Sequence, residues 1–439
     1  MRKGFIFDHN KCVNCNACSA SCILENGWDM HARNIYSYNS EAEYSLPVIN
    51  LSLACNHCET ATCMKGCPAS AYSRDSETGA IILDENKCIG CKYCQWNCPY
   101  DAPKYDFYKR TIAKCNLCYT GLSDGRQPAC SSACPTGALR FDHLSLPDPG
   151  NWYLWFPDKK LNPAIEFTAA NNNAPLRIIP GNRFREIPER TDIQRKNISG
   201  EISLIVFSFL ATISVAILIY CFVKGVYPLK AIFIPVLLIP GFVSLFHLGK
   251  KLRSWRSIMN LRNSPLSREI ASYLSYALVA FTMLLIRTPG LLIASLIAGL
   301  IFLVFIDNVY YYSDKRQSVI LHSGQTFITA LMIGSFLSGM VFPFAFIAVI
   351  KLGLSVFRLY SNNLKSDYFE IRFMRIALLS VSGISLVSHI SYPELPVIII
   401  FLIGELLDRI LFYIDFNPLN INHMINEQLN IEIDEKKRG

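Results

Sequence analysis

Polar and apolar positions divide this 439-residue chain into two unlike halves. Up to about residue 145 the apolar runs are short. Phe5-Ile6-Phe7 and Ile81-Ile82-Leu83 each give way to small and polar residues. Such runs predict short strands around loops. Beyond residue 200, apolar stretches near the ~20 residues that cross a bilayer occupy about 201–223, 229–249, 267–286, 290–309, 323–340, 342–359, 369–391 and 394–414. They predict an all-α polytopic membrane domain of about eight helices over 199–415. A very tight turn, Gly339-Met340-Val341-Phe342-Pro343, separates the fifth from the sixth. Residues 146–198 between the halves hold Leu146-Pro147-Asp148-Pro149-Gly150, Trp152-Tyr153-Leu154-Trp155 and Asn171-Asn172-Asn173. They read as a linker whose aromatic cluster docks on the first domain or on a partner. A polar tail, 416–439, closes the chain.

Composition sharpens the division. The hydrophobic fraction of 51% is high for a soluble protein, and the excess lies in the second half. The net charge of +8 sits largely in loops between apolar segments, where it reads as membrane topology; a nucleic-acid partner is not expected. Eight helices would bring both termini to one face, together with Lys250, Lys251, Arg253, Arg256, Arg262, Lys315, Arg316, Arg358, Lys365 and the linker residues Arg183, Arg185, Arg190, Arg195 and Lys196. Lys224, Lys230 and Arg287 fall on the other face. The positive-inside rule then places the first domain on the cytoplasmic side of the cytoplasmic membrane. The opening residues Met1 to Asp8 show no h-region and no twin arginine, so no export signal is expected.

Sixteen of the seventeen cysteines precede residue 135, in four groups of four. Cys12, Cys15, Cys18 and Cys22 read C-x2-C-x2-C-x3-C, and Cys88, Cys91, Cys94 and Cys98 repeat that spacing and end in Pro99. Cys55, Cys58, Cys63 and Cys67 read C-x2-C-x4-C-x3-C-P, and Cys115, Cys118, Cys130 and Cys134 read C-x2-C-x11-C-x3-C-P. A tight run of thiolates wraps one iron–sulfur cube, and the remote cysteine before proline ligates the neighbouring cube. Sixteen ligands thus make four [4Fe–4S] clusters. An even count also fits a disulfide framework, and zinc sites begin with C-x2-C. Adjacent C-x2-C pairs close poorly on themselves, however, and zinc does not call for a third cysteine and a C-x3-C-P tail. The cluster reading is preferred.

An internal repeat aligns Asp8-His9-Asn10-Lys11-Cys12 with Asp84-Glu85-Asn86-Lys87-Cys88. It predicts an α+β double ferredoxin-like domain over residues 1–145. Short strands would flank the cluster loops, and small helices would follow each Cys-Pro, since proline suits a first helical turn. Pairing of the four groups is left open by spacing alone.

Several polar residues lie in or at the rim of the apolar stretches, where ionisable groups are functional candidates by default. They are His247, Glu269, Asp307, Asn308, Glu405, Asp408 and Arg409, and the alternating helix direction puts them all toward the face of the first domain. The bland alternative is that each caps a helix end. Lys351 sits deeper and is expected to snorkel. Haem would need two facing histidines; His389 falls on the opposite face from His247 and His322, so no haem is expected. Cys221 reads as a small buried hydrophobe.

Residues 5 to about 142 resemble the iron–sulfur subunit of dimethyl sulfoxide reductase, polysulfide reductase and related molybdopterin enzymes. The resemblance is carried by Ala54-Cys55-Asn56-His57-Cys58-Glu59, Cys88-Ile89-Gly90-Cys91-Lys92-Tyr93-Cys94 and Lys114-Cys115-Asn116-Leu117-Cys118-Tyr119. It implies nested ligation: Cys12/Cys15/Cys18/Cys134, Cys115/Cys118/Cys130/Cys22, Cys55/Cys58/Cys63/Cys98 and Cys88/Cys91/Cys94/Cys67. The first group departs from the pattern, with Ile23 where proline follows the others. The second half resembles the membrane anchor of the same family through His247-Leu248-Gly249, Ser267-Arg268-Glu269-Ile270-Ala271-Ser272 and Gly404-Glu405-x3-Arg409-x2-Phe412-Tyr413. That implies a menaquinol site with His247 and Glu269 as its working residues, lined further by Asp307, Glu405 and Arg409. The chain would then oxidise quinol from the membrane pool and feed a molybdopterin-containing catalytic subunit that is not part of it. Two rivals are the same wire run from a dehydrogenase into quinone, and a cluster-driven ion channel.

Overall fold

The computed structural model describes residues 2–28, 32–38, 49–144, 161–168, 198–313, 322–361, 369–388, 394–416, 418 and 421. Trp152 to Trp155, Asn171 to Asn173, the linker arginines, Lys196, Lys315, Arg316, Lys365, His389, the side chain of Arg358 and most of 416–439 lie outside them. The chain forms two compact units: Met1–Arg195 with Pro418–Gly439, and Lys196–Asn417.

The first unit threads short elements through the cysteine runs: β1 (Lys3–Phe7), α1 (Ala17–Asn26), β2 (Asn34–Tyr38), β3 (Ile49–Leu53), α2 (Thr62–Lys65), β4 (Tyr72–Arg74), β5 (Ile81–Leu83), α3 (Tyr93–Asn97), β6 (Lys104–Asp106), β7 (Thr111–Ala113), α4 (Tyr119–Ser123), α5 (Ala129–Ser132), β8 (Leu139–His143) and β9 (Ile165–Phe167). β1 is the centre of a three-stranded sheet, antiparallel to β8 with Phe5 opposite Phe141, and parallel to β9 with Phe5 opposite Ile165. Part of the predicted linker is therefore a strand of this unit. The remaining strands form the two-stranded pairs β2–β3, β4–β5 and β6–β7. Pairs of three to five residues cannot bury a core of their own, and cysteines complete it. Cys18 and Cys130 lie among Phe5, Phe7, Leu51 and Phe141, while Cys22, Cys55 and Cys115 pack with Ala32, Ala54 and Ala102.

The internal repeat has a physical basis. Asp8 accepts a hydrogen bond from Asn10 N–H at 3.1 Å, and Asp84 accepts one from Asn86 N–H at 2.9 Å. Each aspartate closes a turn that presents the first cysteine of its run.

The second unit comprises α6 (Ile198–Lys224), α7 (Lys230–Ser244), α8 (Pro265–Ile286), α9 (Pro289–Ser313), α10 (Thr326–Leu337), α11 (Val341–Ser361), α12 (Phe369–Ser388) and α13 (Leu395–Asp415), with 3-10 segments at Leu245–His247 and Lys251–Ile258. Among the described residues, four helices are long and apolar enough to cross a membrane: Glu201–Lys224, Lys230–His247, Pro265–Ile286 and Pro289–Ser313. The expected fifth span, 323–340, is helical over only 12 residues, about 18 Å at 1.5 Å per residue. It starts late because His322, Ser323 and Gly324 are drawn into side-chain and backbone bonds described below. α13 is long but carries Glu405, Asp408 and Arg409 in its middle.

Pro235 and Pro240 interrupt α7. Tyr273 of α8 inserts its hydroxyl at the break, accepting from Gly241 N–H at 3.2 Å and donating to Leu237 O at 2.8 Å. A Cβ on Gly241 would lie 2.5 Å from that hydroxyl, so only glycine admits it.

Candidate metal centres and a buried polar site

The four cysteine runs share one local construction. The second residue after the first cysteine is left-handed in every run: Asn14 (φ 53°), His57 (φ 41°), Gly90 (φ 68°) and Leu117 (φ 67°). A non-glycine residue costs about 1–2 kcal/mol there. The turn aims backbone N–H groups back at sulfur, as Gly90 N–H to Cys88 Sγ and Leu117 N–H to Cys115 Sγ show, both at 3.4 Å. The third cysteine of each run is the second residue of a short helix: Cys18 in α1, Cys63 in α2, Cys94 in α3 and Cys130 in α5. The expected helices after Cys-Pro are thus placed before it. Proline ends each short helix, because it disfavours helical backbone in the residue ahead of it. A second left-handed residue follows at Ser70, Asp101 and Gly137, three positions past each Cys-Pro cysteine. Ala71 N–H and Leu139 N–H then reach Cys67 Sγ and Cys134 Sγ at 3.4 Å. Ile23 explains the exception: without proline, α1 runs through Cys22 to Asn26.

Electrostatic neighbours bring thiols of different runs together, with contacts both inside the expected nested fours and across them. Cys12 feels Cys18, Cys134 and Cys15. Cys22 feels Cys130, Cys118 and Cys18, and Cys115 feels Cys55 ahead of Cys22 and Cys130. Cys58 feels Cys55, Cys98 and Cys63, while Cys94 feels Cys91, Cys67 and Cys88. Burial, reinforced by neighbouring thiols, pushes Cys22 up to about 11 and Cys98 up to about 12. It raises Cys58, Cys63, Cys91 and Cys115 further. Such thiols keep their protons unless a cation replaces them. Sulfur-only donor sets of four, ringed by inward N–H groups, fit iron–sulfur cubes. Among the described residues no three Cys, His, Asp or Glu side chains converge closely enough to hold a single metal ion.

Two buried cations lie beside the cysteines, Lys114 within a quoted segment and Arg33 outside every motif. Lys114 Nζ donates to Cys115 O at 2.6 Å and also to Ile81 O. Arg33, 1% exposed, stacks over the Phe5 ring at 4.3 Å. An isolated arginine ahead of a strand carries no pattern that would single it out. His57, from the quoted Asn-His-Cys segment, accepts Ile81 N–H on Nδ1 at 2.9 Å. Its burial and nearby Lys114 lower its pKa well below the usual value, so it is neutral.

In the second unit the predicted polar residues separate into groups. Glu269, buried near the start of α8, has Arg409 and Asp307 as its electrostatic neighbours. Asp307 also caps α10 from outside, accepting Thr326 N–H at 3.0 Å and Phe327 N–H at 3.2 Å. Arg409 donates to Ser208 Oγ at 2.8 Å and Gly324 O at 3.0 Å, and its guanidinium lies 4.3 Å from the Phe412 ring centroid. His247 closes the 3-10 turn Leu245–His247, which packs on α6 and α7.

Glu405 belongs elsewhere. Lys351, fully buried, pairs with Glu405, lies 3.2 Å from Asp408 and donates to Thr329 Oγ1 at 2.9 Å. It does not snorkel, because these partners hold it inside. Arg375 pairs with Asp408 at 3.1 Å, and Ser323 donates to the other oxygen of Asp408 at 2.7 Å. Arg372 pairs with Asp415 at 2.6 Å, and Asp415 lies 3.3 Å from His322 Nε2. His322 Nδ1 accepts Gly324 N–H at 2.8 Å, so both ring nitrogens are engaged. Cys221 is buried, 2% exposed.

Residues 47–144 match the family model of the 4Fe-4S dicluster domain. Over 149 residues, 31% of this chain and 72% of the relative, the sequence is 38% identical to an anaerobic dimethyl sulfoxide reductase chain of Haemophilus influenzae. It is 36% identical over 148 residues to the probable anaerobic dimethyl sulfoxide reductase chain YnfG of Escherichia coli K12, again 31% and 72% of the two chains. A sulfite dehydrogenase subunit of Allochromatium vinosum is 32% identical over 166 residues, 33% of this chain and 69% of that one.

Proposed function

Because the chain belongs to the family of the dimethyl sulfoxide reductase iron–sulfur chains, we propose that it carries electrons from a membrane quinol, of menaquinol type, to a molybdopterin-containing catalytic subunit. The observation that carries this reading is the left-handed cradle common to the four cysteine runs, supported by thiol neighbours that bring Cys134 to Cys12 and Cys98 to Cys58. When bound, four [4Fe–4S] clusters supply one-electron carriers in series. The chain's part is to hold them: Cys12, Cys15, Cys18 and Cys134; Cys22, Cys115, Cys118 and Cys130; Cys55, Cys58, Cys63 and Cys98; Cys67, Cys88, Cys91 and Cys94.

A quinol releases two protons with its two electrons, so its site needs acceptors. Glu269 takes that role beside Arg409 and Asp307, with His247 as hydrogen-bond partner or second acceptor. Glu405 is committed to Lys351 and serves the helical framework. All eight helices form the membrane domain in this reading, with the ionisable groups of α13 admitted because each is buried against a partner. Haem is not needed, and His322 is already bonded at both nitrogens.

Glu269→Gln and His247→Ala are expected to cut cluster reduction by a menaquinol analogue at least ~10-fold, the loss of one proton-transfer partner being worth ~100-fold or more, while dithionite reduction stays intact. Quinol-driven reduction at the wild-type rate in both variants would end the assignment. The sulfite dehydrogenase relative favours a second reading, with electrons flowing from a dehydrogenase partner into quinone. Low potentials in all clusters would select it. Lys250, Lys251, Arg253, Arg256 and Arg262 between α7 and α8 support a cytoplasmic placement of the cysteine-rich unit in the cytoplasmic membrane. An N-terminal tag should resist protease in intact spheroplasts, and cleavage there would refute that placement.

A further inference from the structure

The cysteine-rich unit buries a guanidinium with no carboxylate described against it. Arg33 is 1% exposed. Its Nη1 donates to Ser52 O at 3.3 Å and Ser52 Oγ at 3.2 Å, and its carbonyl accepts from the Ser19 hydroxyl. Nε and Nη2 are buried with no hydrogen-bond partner among the described residues. The charges that act on it most are four thiols, Cys130, Cys115, Cys18 and Cys22. They belong to two different groups of four. Ser52 bridges toward one of them, its Oγ 3.3 Å from Cys18 Sγ.

A permanently charged guanidinium is not left in a protein interior without an opposing charge, because desolvation is too unfavourable. Lys114 shows the contrast: backbone carbonyls take its donors. Arg33 keeps two nitrogens, Nε and Nη2, with three N–H bonds unspent among thiols of two sets. Each set, with its iron and sulfide, carries net negative charge and gains one more unit on reduction. A fixed cation between them favours the more negative state of both.

We propose that Arg33 is the shared counter-charge of two clusters, those held by Cys12/Cys15/Cys18/Cys134 and by Cys22/Cys115/Cys118/Cys130, and that it makes both easier to reduce. The inference rests on the four-cluster reading above. Each of the two centres accepts one electron from the upstream donor and no proton, since Arg33 stays protonated throughout. It is a positioning residue for charge, and the two clusters remote from it do not depend on it.

The test is a potentiometric titration followed by electron paramagnetic resonance, on the full chain in membranes, with iron and sulfide counted alongside. Arg33→Gln should lower two of the four midpoints, so that at each wild-type midpoint the reduced-to-oxidised ratio falls about ten-fold, ~59 mV for one electron. Arg33→Lys should restore them. Four unmoved midpoints, or four that shift alike, would overturn the proposal. Should Arg33→Gln fail to load iron, Arg33→Lys decides. Full loading with all midpoints at wild-type values supports a charge role. Failure to load, or displaced midpoints, assigns Arg33 to packing instead. About sixteen irons in the wild type, four per cube, checks the underlying reading separately; a lower count would defeat that reading whatever the midpoints do.

Discussion

In the first unit, Arg33 and Lys114 are buried against carbonyls, a hydroxyl and thiols. In the second, Lys351, Arg375 and Arg372 are buried against Glu405, Asp408 and Asp415. Three cations facing three carboxylates make a self-neutral lattice that ties α11, α12 and α13 together. The cysteine-rich unit has no such internal balance among its described residues, and its surplus positive charge faces sulfur. The difference separates two uses of buried charge. A closed set of ion pairs specifies how helices meet, whereas an open one implies an anionic group that the polypeptide does not itself supply.

Removing iron should break this comparison most visibly. The first unit's core is completed by cysteines, while the core around Phe336, Phe344 and Phe401 contains none. Chelation under reducing conditions is expected to leave the first unit open to protease while the helical unit survives as a resistant fragment. Equal resistance of both would show that the first unit folds without metal. Next in size, Lys351→Met leaves the buried Glu405 carboxylate without its counter-charge and should cost about 3–5 kcal/mol in thermal or chemical denaturation in detergent. Lys351→Met combined with Glu405→Met should recover most of that loss, as volume-matched apolar pairs do. No recovery would mean the lattice is more than a pairwise contact. Smallest, Ser323→Ala removes one bond to Asp408 and should cost about 1.5–3 kcal/mol, as hydrogen bonds to charged groups do. A cost near zero would place that hydroxyl outside the lattice.

The cysteine sites are legible in the sequence because ligation fixes residue type and spacing together. The geometry around them is not. Asn14, His57 and Leu117 give no warning in sequence that they adopt left-handed backbone. Pro68, Pro99 and Pro135 suggest helix starts, yet proline serves equally to stop the helix before it. In the membrane half, Glu269 is visible as a carboxylate in an apolar stretch, but its company is not. Arg409 and Glu405 lie four residues apart on α13, one bonded to Ser208 of α6 and the other paired with Lys351 of α11. Only tertiary contact separates them. Lys351 looks solitary in sequence for the same reason, since its partner is 54 residues away.

The sheet order β8-β1-β9 has a consequence for biosynthesis. β1 is made before either of its neighbours, both of which are encoded after Cys134, the last at Ile165–Phe167. Cys12, just after β1, likewise has Cys134 as an electrostatic neighbour. The strand therefore cannot pair until Leu139–His143 has followed it, and it is flanked on both sides only once Ile165–Phe167 has been made. The sheet at the centre of the first unit is thus completed only shortly before the hydrophobic helices are made.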